Sequence, residues 1–142
     1  MQTFLPYSDY EATAQVLDSK RLNKQILEGY QILKVLSGAS PSGAWRNHPA
    51  VLMWKNSENE LNNYLAHMIY EANWRGIKTD KNAANIKQLK RQYGHLWGNE
   101  IPFWMEDETT LHCITTTHRV NLFKKDPIKY LRFKSDVDSP YN

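Results

Sequence analysis

Apolar residues recur every three or four positions along most of the chain, which is the spacing of one face of an α-helix. One such stripe comprises Leu22, Ile26, Tyr30 and Leu33, and a longer one comprises Leu61, Tyr64, Leu65, Met68, Ile69 and Ala72. No segment combines strict apolar–polar alternation with hairpin turn signals, although the β-branched run 114–117 leaves a strand open there. The pattern therefore predicts an all-α fold, a single compact helical domain of about five to six helices with irregular aromatic-rich connections.

Residues that start and stop helices divide the chain into helix-sized segments. Four N-caps are predicted at Ser8, Asp18, Ser57 and Asp80, and the two serines each precede a Glu by three residues, as in a capping box. The helix that begins at Asp18 should end near Leu36, and a late helix should cover 106–125. Residues 38–44 are a loop by composition. We expect one domain over residues 1–142, in which 134–142 form a polar C-terminal tail.

Composition limits the class of protein further. The chain has 142 residues, 41% of them hydrophobic, which is enough for one domain with a real core. Its single cysteine excludes an internal disulfide, and its histidines lack the spacing of a zinc site, so no metal or other cofactor is expected. The first residues lack a basic segment followed by an apolar run, so we expect no signal peptide, and no apolar stretch approaches roughly 20 residues. We therefore expect a cytoplasmic monomer that makes no membrane contact.

The charge is only mildly basic, so any interaction with nucleic acid must depend on where the charges cluster. Net charge is +3. On the helix from Asp18, four polar residues share one face at spacings of three, four and seven: Arg21, Lys24, Gln25 and Glu28. The simplest interpretation is a solvated face with an ion pair worth only about 0.3–0.5 kcal/mol. The alternative is a carboxylate held beside cations for chemistry on an anionic substrate.

Two other clusters favour the alternative. Arg46, Asn47 and His48 precede Pro49 at a predicted helix start, where free N–H groups favour phosphate. A lone histidine at such a position is more often a cap than a catalyst. The second cluster combines cations with an aromatic residue, as suits a phosphate backbone and unstacked bases, and comprises His118, Arg119, Lys124, Lys125 and Tyr130.

The order of these motifs resembles the pyrimidine-dimer DNA glycosylases, the phage endonuclease V type and its bacterial relatives. The resemblance rests on Leu17-Asp18-Ser19-Lys20-Arg21-Leu22 followed by Glu28, on Arg46-Asn47-His48-Pro49, on the turn Asn73-Trp74-Arg75-Gly76, and on His118-Arg119 with Lys125-Asp126-Pro127 and Tyr130. It spans residues 1 to about 133. Within the family, the opening Met-Gln-Thr-Phe-Leu-Pro and the segment Trp-Arg-Asn-His-Pro-Ala-Val resemble an uncharacterised bacterial and phage branch.

The resemblance implies an all-α, metal-free enzyme that acts on double-stranded DNA and excises a damaged or modified pyrimidine base. The α-amino group of Met1 would be the nucleophile and Glu28 the acid–base residue. A larger fraction of an ordinary α-amine than of a lysine is neutral near pH 7, so it can attack the sugar and form an imine, which would also permit strand nicking as an AP lyase. Gln2 stands where family members commonly carry Arg, and it joins the expected DNA-contacting set.

Two other functions remain open from the sequence. One is a non-catalytic nucleic-acid-binding helical module that keeps the basic surface without the chemistry. The other is a helical domain that uses its many Trp and Tyr residues at a protein interface. Borohydride trapping separates the enzyme from both, because only an imine is reduced to a stable protein–DNA adduct. Salt-dependent affinity for DNA separates the module from the interface domain.

Overall fold

The chain folds into helices joined by short connections, as described by a computed structural model for residues 1–40 and 42–142. The helices are α1 (Tyr10–Val16), α2 (Ser19–Leu36), α3 (Pro49–Leu52), α4 (Glu58–Trp74), α5 (Asp80–Tyr93), α6 (Phe103–Glu106) and α7 (Glu108–Lys125). Two 3-10 segments cover Gly94–Leu96 and Leu131–Asp138. The described residues contain no strand, so the all-α prediction is confirmed, although five to six helices was too low a count.

One hydrophobic core unites these elements, and α2 and α4 form its centre. The predicted stripes pack against each other: Leu22, Ile26 and Leu33 on α2 and Leu61, Tyr64 and Leu65 on α4 are fully buried. Burying a side chain of this size stabilises the fold by about 1.5–3 kcal/mol. The two helices approach closely at Gly29, where an added Cβ would lie 2.3 Å from Cδ2 of Leu65. This packing fixes the position of the polar face of α2.

The predicted helix starts were close to the observed ones, with three corrections. Asp18 caps α2 by accepting a 3.3 Å hydrogen bond from the Arg21 N–H, as predicted. Ser57 directly precedes α4, but the predicted capping box is wrong, because the Ser57 side chain makes no capping hydrogen bond and Glu60 accepts from the Tyr10 hydroxyl. The first helix is capped by Asp9 rather than Ser8. Asp80 is the first residue of α5 rather than its cap. Carboxylates at these positions favour the helix because they face its partially positive end.

The C-terminal third is more ordered than the sequence indicated. The β-branched run 114–117 is helical within α7, so helix packing overrides local strand preference there. The expected polar tail from 134 onward is helical to Asp138, and Phe133 anchors this 3-10 segment in the core. Pro41, which falls in the predicted loop 38–44, is outside the described residues. Across residues 1–40 and 42–142, every helix is too short or too polar to span a lipid bilayer.

Candidate active site

The N-terminal segment runs in an extended conformation across the polar face of α2. The Gln2 N–H donates to Oε2 of Glu28 at 3.0 Å. Gln25 receives the Phe4 N–H on Oε1 at 2.8 Å and donates from Nε2 to the Gln2 carbonyl at 3.2 Å. Backbone dimensions then keep the α-amine of Met1 within about 7 Å of the Glu28 carboxylate. A chain terminus and a carboxylate are thus brought together by backbone contacts rather than by an ion pair.

Side chains from α4 and α7 hold the remainder of this segment. The Tyr64 hydroxyl donates to the Phe4 carbonyl at 2.6 Å, and burial raises the pKa of Tyr64. The Leu5 N–H donates to Nδ1 of His118 at 2.7 Å, which requires that this nitrogen be unprotonated. Burial lowers the pKa of His118 to about 4, so the imidazole is neutral near pH 7.

A cavity of about 600 Å³ opens beside the amine. It is lined by Met1, Gln2, Phe4, Asp18, Lys20, Arg21, Lys24, Gln25, Glu28, Lys125, Asp126 and Lys129. Five of these side chains are cationic and three are carboxylates, so the cavity carries a positive excess in a protein whose net charge is only +3. Such a concentration of positive charge attracts a phosphate backbone.

Within the cavity, Glu28 and Lys24 differ in their access to solvent. Their ion pair is present at 3.8 Å, but the side chain of Lys24 is 67% exposed and that of Glu28 is 14% exposed. A pair of this kind contributes little to stability, about 0.3–0.5 kcal/mol on a helix. Lys24 is therefore free to contact an anion, while Glu28 stays beside the N-terminal segment.

A buried tyrosine, Tyr130, holds two of the lining residues, Asp18 and Arg21, in place. The Tyr130 hydroxyl and the Asp18 carboxylate share a short hydrogen bond, and the Asp18 N–H donates to the same hydroxyl at 2.9 Å. Burial and this bond raise the pKa of Tyr130 to about 12. Burial opposes ionisation of Asp18, but hydrogen bonds from Tyr130 and Arg21 outweigh it and lower the Asp18 pKa. Arg21 is thereby held 3.1 Å from Asp18 and 5.7 Å above the Tyr130 ring.

Four residues that the sequence placed among the DNA contacts have partners inside the protein instead. Gln25 and Tyr130 are each only 1% exposed, and His118 accepts the Leu5 N–H. The Arg119 guanidinium donates to the Pro6 carbonyl at 2.8 Å and pairs with Asp136 at 3.2 Å. We therefore reassign these four residues to the support of the N-terminal segment and of Arg21.

The other expected contacts divide between the cavity and its surroundings. Gln2, Arg21, Lys24 and Lys125 line it, whereas Lys124 is exposed next to Lys125. Arg46 and Asn47 are exposed in the turn before α3 and do not line this cavity. His48 caps α3, because its Nδ1 accepts the Ala50 N–H at 3.1 Å. The cap interpretation of His48 is confirmed.

Five lining residues were not predicted from the sequence: Phe4 and four charged residues, Lys20, Asp18, Asp126 and Lys129. Lys20 precedes Lys24 by one helical turn, so its spacing could have revealed it. Asp18 was recognised only as a helix cap. Asp126 and Lys129 follow α7, and no periodic pattern indicates which direction a side chain takes after a helix has ended.

One cavity thus contains Met1 with its α-amine, the carboxylate of Glu28 and five cationic side chains. A model of the pyrimidine dimer DNA glycosylase family matches residues 1–85 of the chain. The chain belongs to this family. Members are DNA glycosylases by description, and their substrate is DNA, as the positive cavity also favours. No curated protein and no solved structure gives a match to the chain.

The match to the glycosylase family covers only one side of the cavity. Met1, Gln2 and the whole of α2 lie within residues 1–85, so the amine and Glu28 belong to the family-like part. Lys125, Asp126 and Lys129 lie beyond it. The family match therefore covers the part of the cavity where the N-terminal segment lies against α2, and not the part formed by Lys125, Asp126 and Lys129.

The buried imidazole of His118 predicts an acid-sensitive fold. Its pKa is about 4 in the folded protein and about 6.5 when the chain unfolds, so the unfolded state binds the extra proton first as pH falls. We expect the free energy of unfolding to decrease by up to about 3 kcal/mol between pH 6.5 and pH 4. Chemical denaturation at several pH values measures this decrease.

The control is His118→Asn, which keeps an acceptor for the Leu5 N–H but cannot titrate. Its stability should start lower, because the edge contact of the imidazole with Phe4 is lost, and should depend less on pH over this range. An equally steep pH dependence in the variant would assign the acid sensitivity to other groups.

Proposed function

We propose that the protein is a DNA glycosylase with associated AP-lyase activity that excises a damaged or modified pyrimidine base. The nucleophile is the α-amine of Met1, and Glu28 is the acid–base residue. One observation carries the proposal: the hydrogen bond from the Gln2 N–H to Glu28, which holds the amine beside a carboxylate in a cationic cavity. Membership of the family supports the reaction class.

The chemistry follows from these two groups. The neutral amine attacks C1′ of the sugar, the bond from C1′ to the base breaks, and the base leaves with the electron pair and takes up a proton. The attacking nitrogen passes a proton to Glu28, and Glu28 returns it to O4′ as the sugar ring opens, which gives a protonated imine and restores the carboxylate. Glu28 can then accept a proton from C2′, which expels the 3′ phosphate and nicks the strand. Hydrolysis of the imine restores the amine.

The cations of the cavity serve binding rather than bond cleavage. Lys24, Lys125 and Lys129 are exposed on its rim and can each contact a phosphate. Arg21 is held in place by Asp18 and Tyr130, so it loses little conformational freedom when it binds an anion. Contacts of this kind orient the duplex but read no sequence.

The proposal is tested by borohydride trapping of the unmodified chain on a duplex that contains one abasic site. We expect a stable protein–DNA adduct, because borohydride reduces the imine to an amine that no longer hydrolyses. A duplex of the same sequence without the abasic site should give none. Binding of abasic DNA without any trapped adduct would contradict the proposal and favour the non-catalytic binding module.

The role of the rim cations gives a separate prediction. Lys125→Ala should weaken DNA binding equally across sequences and lower the slope of log affinity against log salt by about 0.9, as expected for one lost phosphate contact. Lys87→Ala is the matched control, since Lys87 is an exposed lysine of α5 that does not line the cavity. Titrations at several salt concentrations measure both slopes. Equal slopes in the two variants would remove Lys125 from the DNA contacts.

A further inference from the structure

A second cavity adjoins Met1. It has a volume of about 330 Å³, and it is lined by Met1, Gln31, Lys34, Val35, Ser40 and Trp45. Met1 thus lines both this cavity and the larger cationic one. The lining comes from the later turns of α2 and from the connection between α2 and α3. The two cavities therefore meet at the residue whose amine is the proposed nucleophile.

The two linings differ in chemistry. The larger cavity contains five cations and three carboxylates, which suit phosphates and a sugar. Besides Met1, the smaller one is lined by one cationic side chain, that of Lys34, together with an indole, a valine side chain, an amide and a hydroxyl. A flat apolar ring with a few polar groups at its edge is how proteins bind an unstacked nucleobase.

Trp45 is the residue best suited to contact such a base. It is 51% exposed although it is a large apolar side chain, so much of its ring is open to solvent. The ring centroid lies 5.5 Å from that of His48 at a tilt of 59°. Because His48 caps α3, this contact joins the indole to an ordered helix start. An exposed ring held in this way can stack on a base with little loss of conformational freedom.

The covalent structure of a nucleotide matches the arrangement of a smaller cavity, Met1 and a larger cavity. C1′ joins the base to the sugar, and the sugar carries the phosphates. We propose that the smaller cavity binds the extrahelical pyrimidine base, stacked on Trp45, while the larger cavity holds the sugar and phosphates. The inference rests on the proposed function, since it takes Met1 as the group that meets C1′. Gln31, Lys34 and Ser40 then face the polar edge of the base.

This assignment separates two kinds of DNA. A duplex with an abasic site needs the amine and the cations but has no base to place on Trp45. A duplex with an extrahelical pyrimidine needs the amine, the cations and Trp45. Substitution of Trp45 should therefore affect the second kind of DNA and spare the first.

The probe is a duplex with one pyrrolocytosine, a fluorescent pyrimidine, in a mismatch that makes extrusion easy. We expect Trp45→Ala to bind this duplex about tenfold more weakly than the wild-type chain, as loss of one stacked base implies. Emission from the pyrrolocytosine at saturation should be brighter with the variant, because stacking on the indole quenches it. Trp45→Phe, which keeps a ring, should restore most of the affinity.

Two controls make the outcome decisive. Trp74→Ala removes an indole that is 80% exposed at the end of α4 and lines neither cavity, so it should behave as the wild-type chain. The yield of borohydride-trapped adduct on abasic DNA should agree within about twofold between Trp45→Ala and the wild-type chain.

Three results would overturn the inference. These are no fluorescence difference between the wild-type chain and Trp45→Ala, equal loss of affinity for both kinds of DNA, and an effect of Trp74→Ala as large as that of Trp45→Ala. The failure of the proposed function looks different. In that case the wild-type chain gives no adduct on abasic DNA, whatever the fluorescence shows.

Discussion

Replacing Glu28 by Gln is expected to abolish base excision and to leave the fold and the DNA affinity intact. The amide oxygen of Gln can still accept the Gln2 N–H, so the N-terminal segment keeps its position. The substitution removes the negative charge and the proton acceptor, and general acid–base catalysis alone is worth about 10²–10⁴-fold in rate. Single-turnover excision from an ultraviolet-irradiated duplex, with affinity measured in parallel, gives the result.

Glu71→Gln is the matched control for this experiment. Glu71 also forms an ion pair with a cation four residues away, Arg75 at 2.8 Å, but it lines a different part of the surface. This variant should excise at the rate of the wild-type chain. If Glu28→Gln retained full turnover, the carboxylate would have no part in the reaction.

Acetylation of the α-amine is expected to have an effect as large as that of the Glu28 substitution. An amide nitrogen has no available lone pair, so the modified chain should form no trapped adduct on abasic DNA and should excise no base. DNA affinity should survive, because five cationic side chains still line the cavity. Gel analysis of the borohydride-treated mixture, with a binding titration beside it, separates the two properties.

The control for acetylation is a chain whose lysines are blocked while the α-amine stays free. It should still form the adduct, although it should bind DNA less tightly. The opposite pattern, an adduct that persists after specific acetylation of the α-amine, would implicate a lysine. Lys24 would be the first suspect, since its ammonium lies 3.8 Å from Glu28.

Helical periodicity predicted α2 well because burial in the core determines which face of this helix is apolar. Leu22, Ile26 and Leu33 must be buried, so the residues on the opposite side of the helix, Glu28 among them, necessarily share a polar face. The same periodicity cannot show what covers that face. Gln25 was therefore assigned to DNA, whereas in the fold the chain's own N-terminal segment occupies its amide.

The internal contacts of His118 and Arg119 on α7 escaped the sequence analysis for a similar physical reason. His118 and Arg119 form hydrogen bonds with Leu5 and Pro6, each separated from its partner by 113 positions in the chain. Local spacing carries no information about contacts so distant in sequence. A cation in a basic run is usually solvated, and only the packed structure shows that Arg119 is instead shared between a carbonyl and Asp136.

The cavity beside Met1 was predicted in part. The side formed by α2 could be predicted from the helical spacing of its polar residues, and the roles of Met1 and Glu28 came from the resemblance to the glycosylase family. Its far side is formed by Lys125, Asp126 and Lys129, at the end of α7 and in the turn that follows it. Their direction depends on how α7 packs, which in turn depends on the burial of Phe133 and Tyr130.

The most direct test of the central claim is to identify the residue that carries the sugar in the trapped adduct. After borohydride reduction, nuclease treatment and trypsin digestion, mass spectrometry should find the deoxyribose-derived mass on the peptide that begins at Met1 and ends at Lys20. Fragmentation should place it on the α-amine of Met1. The same mass on the side chain of Lys20 or Lys24, with an unmodified Met1, would contradict the account.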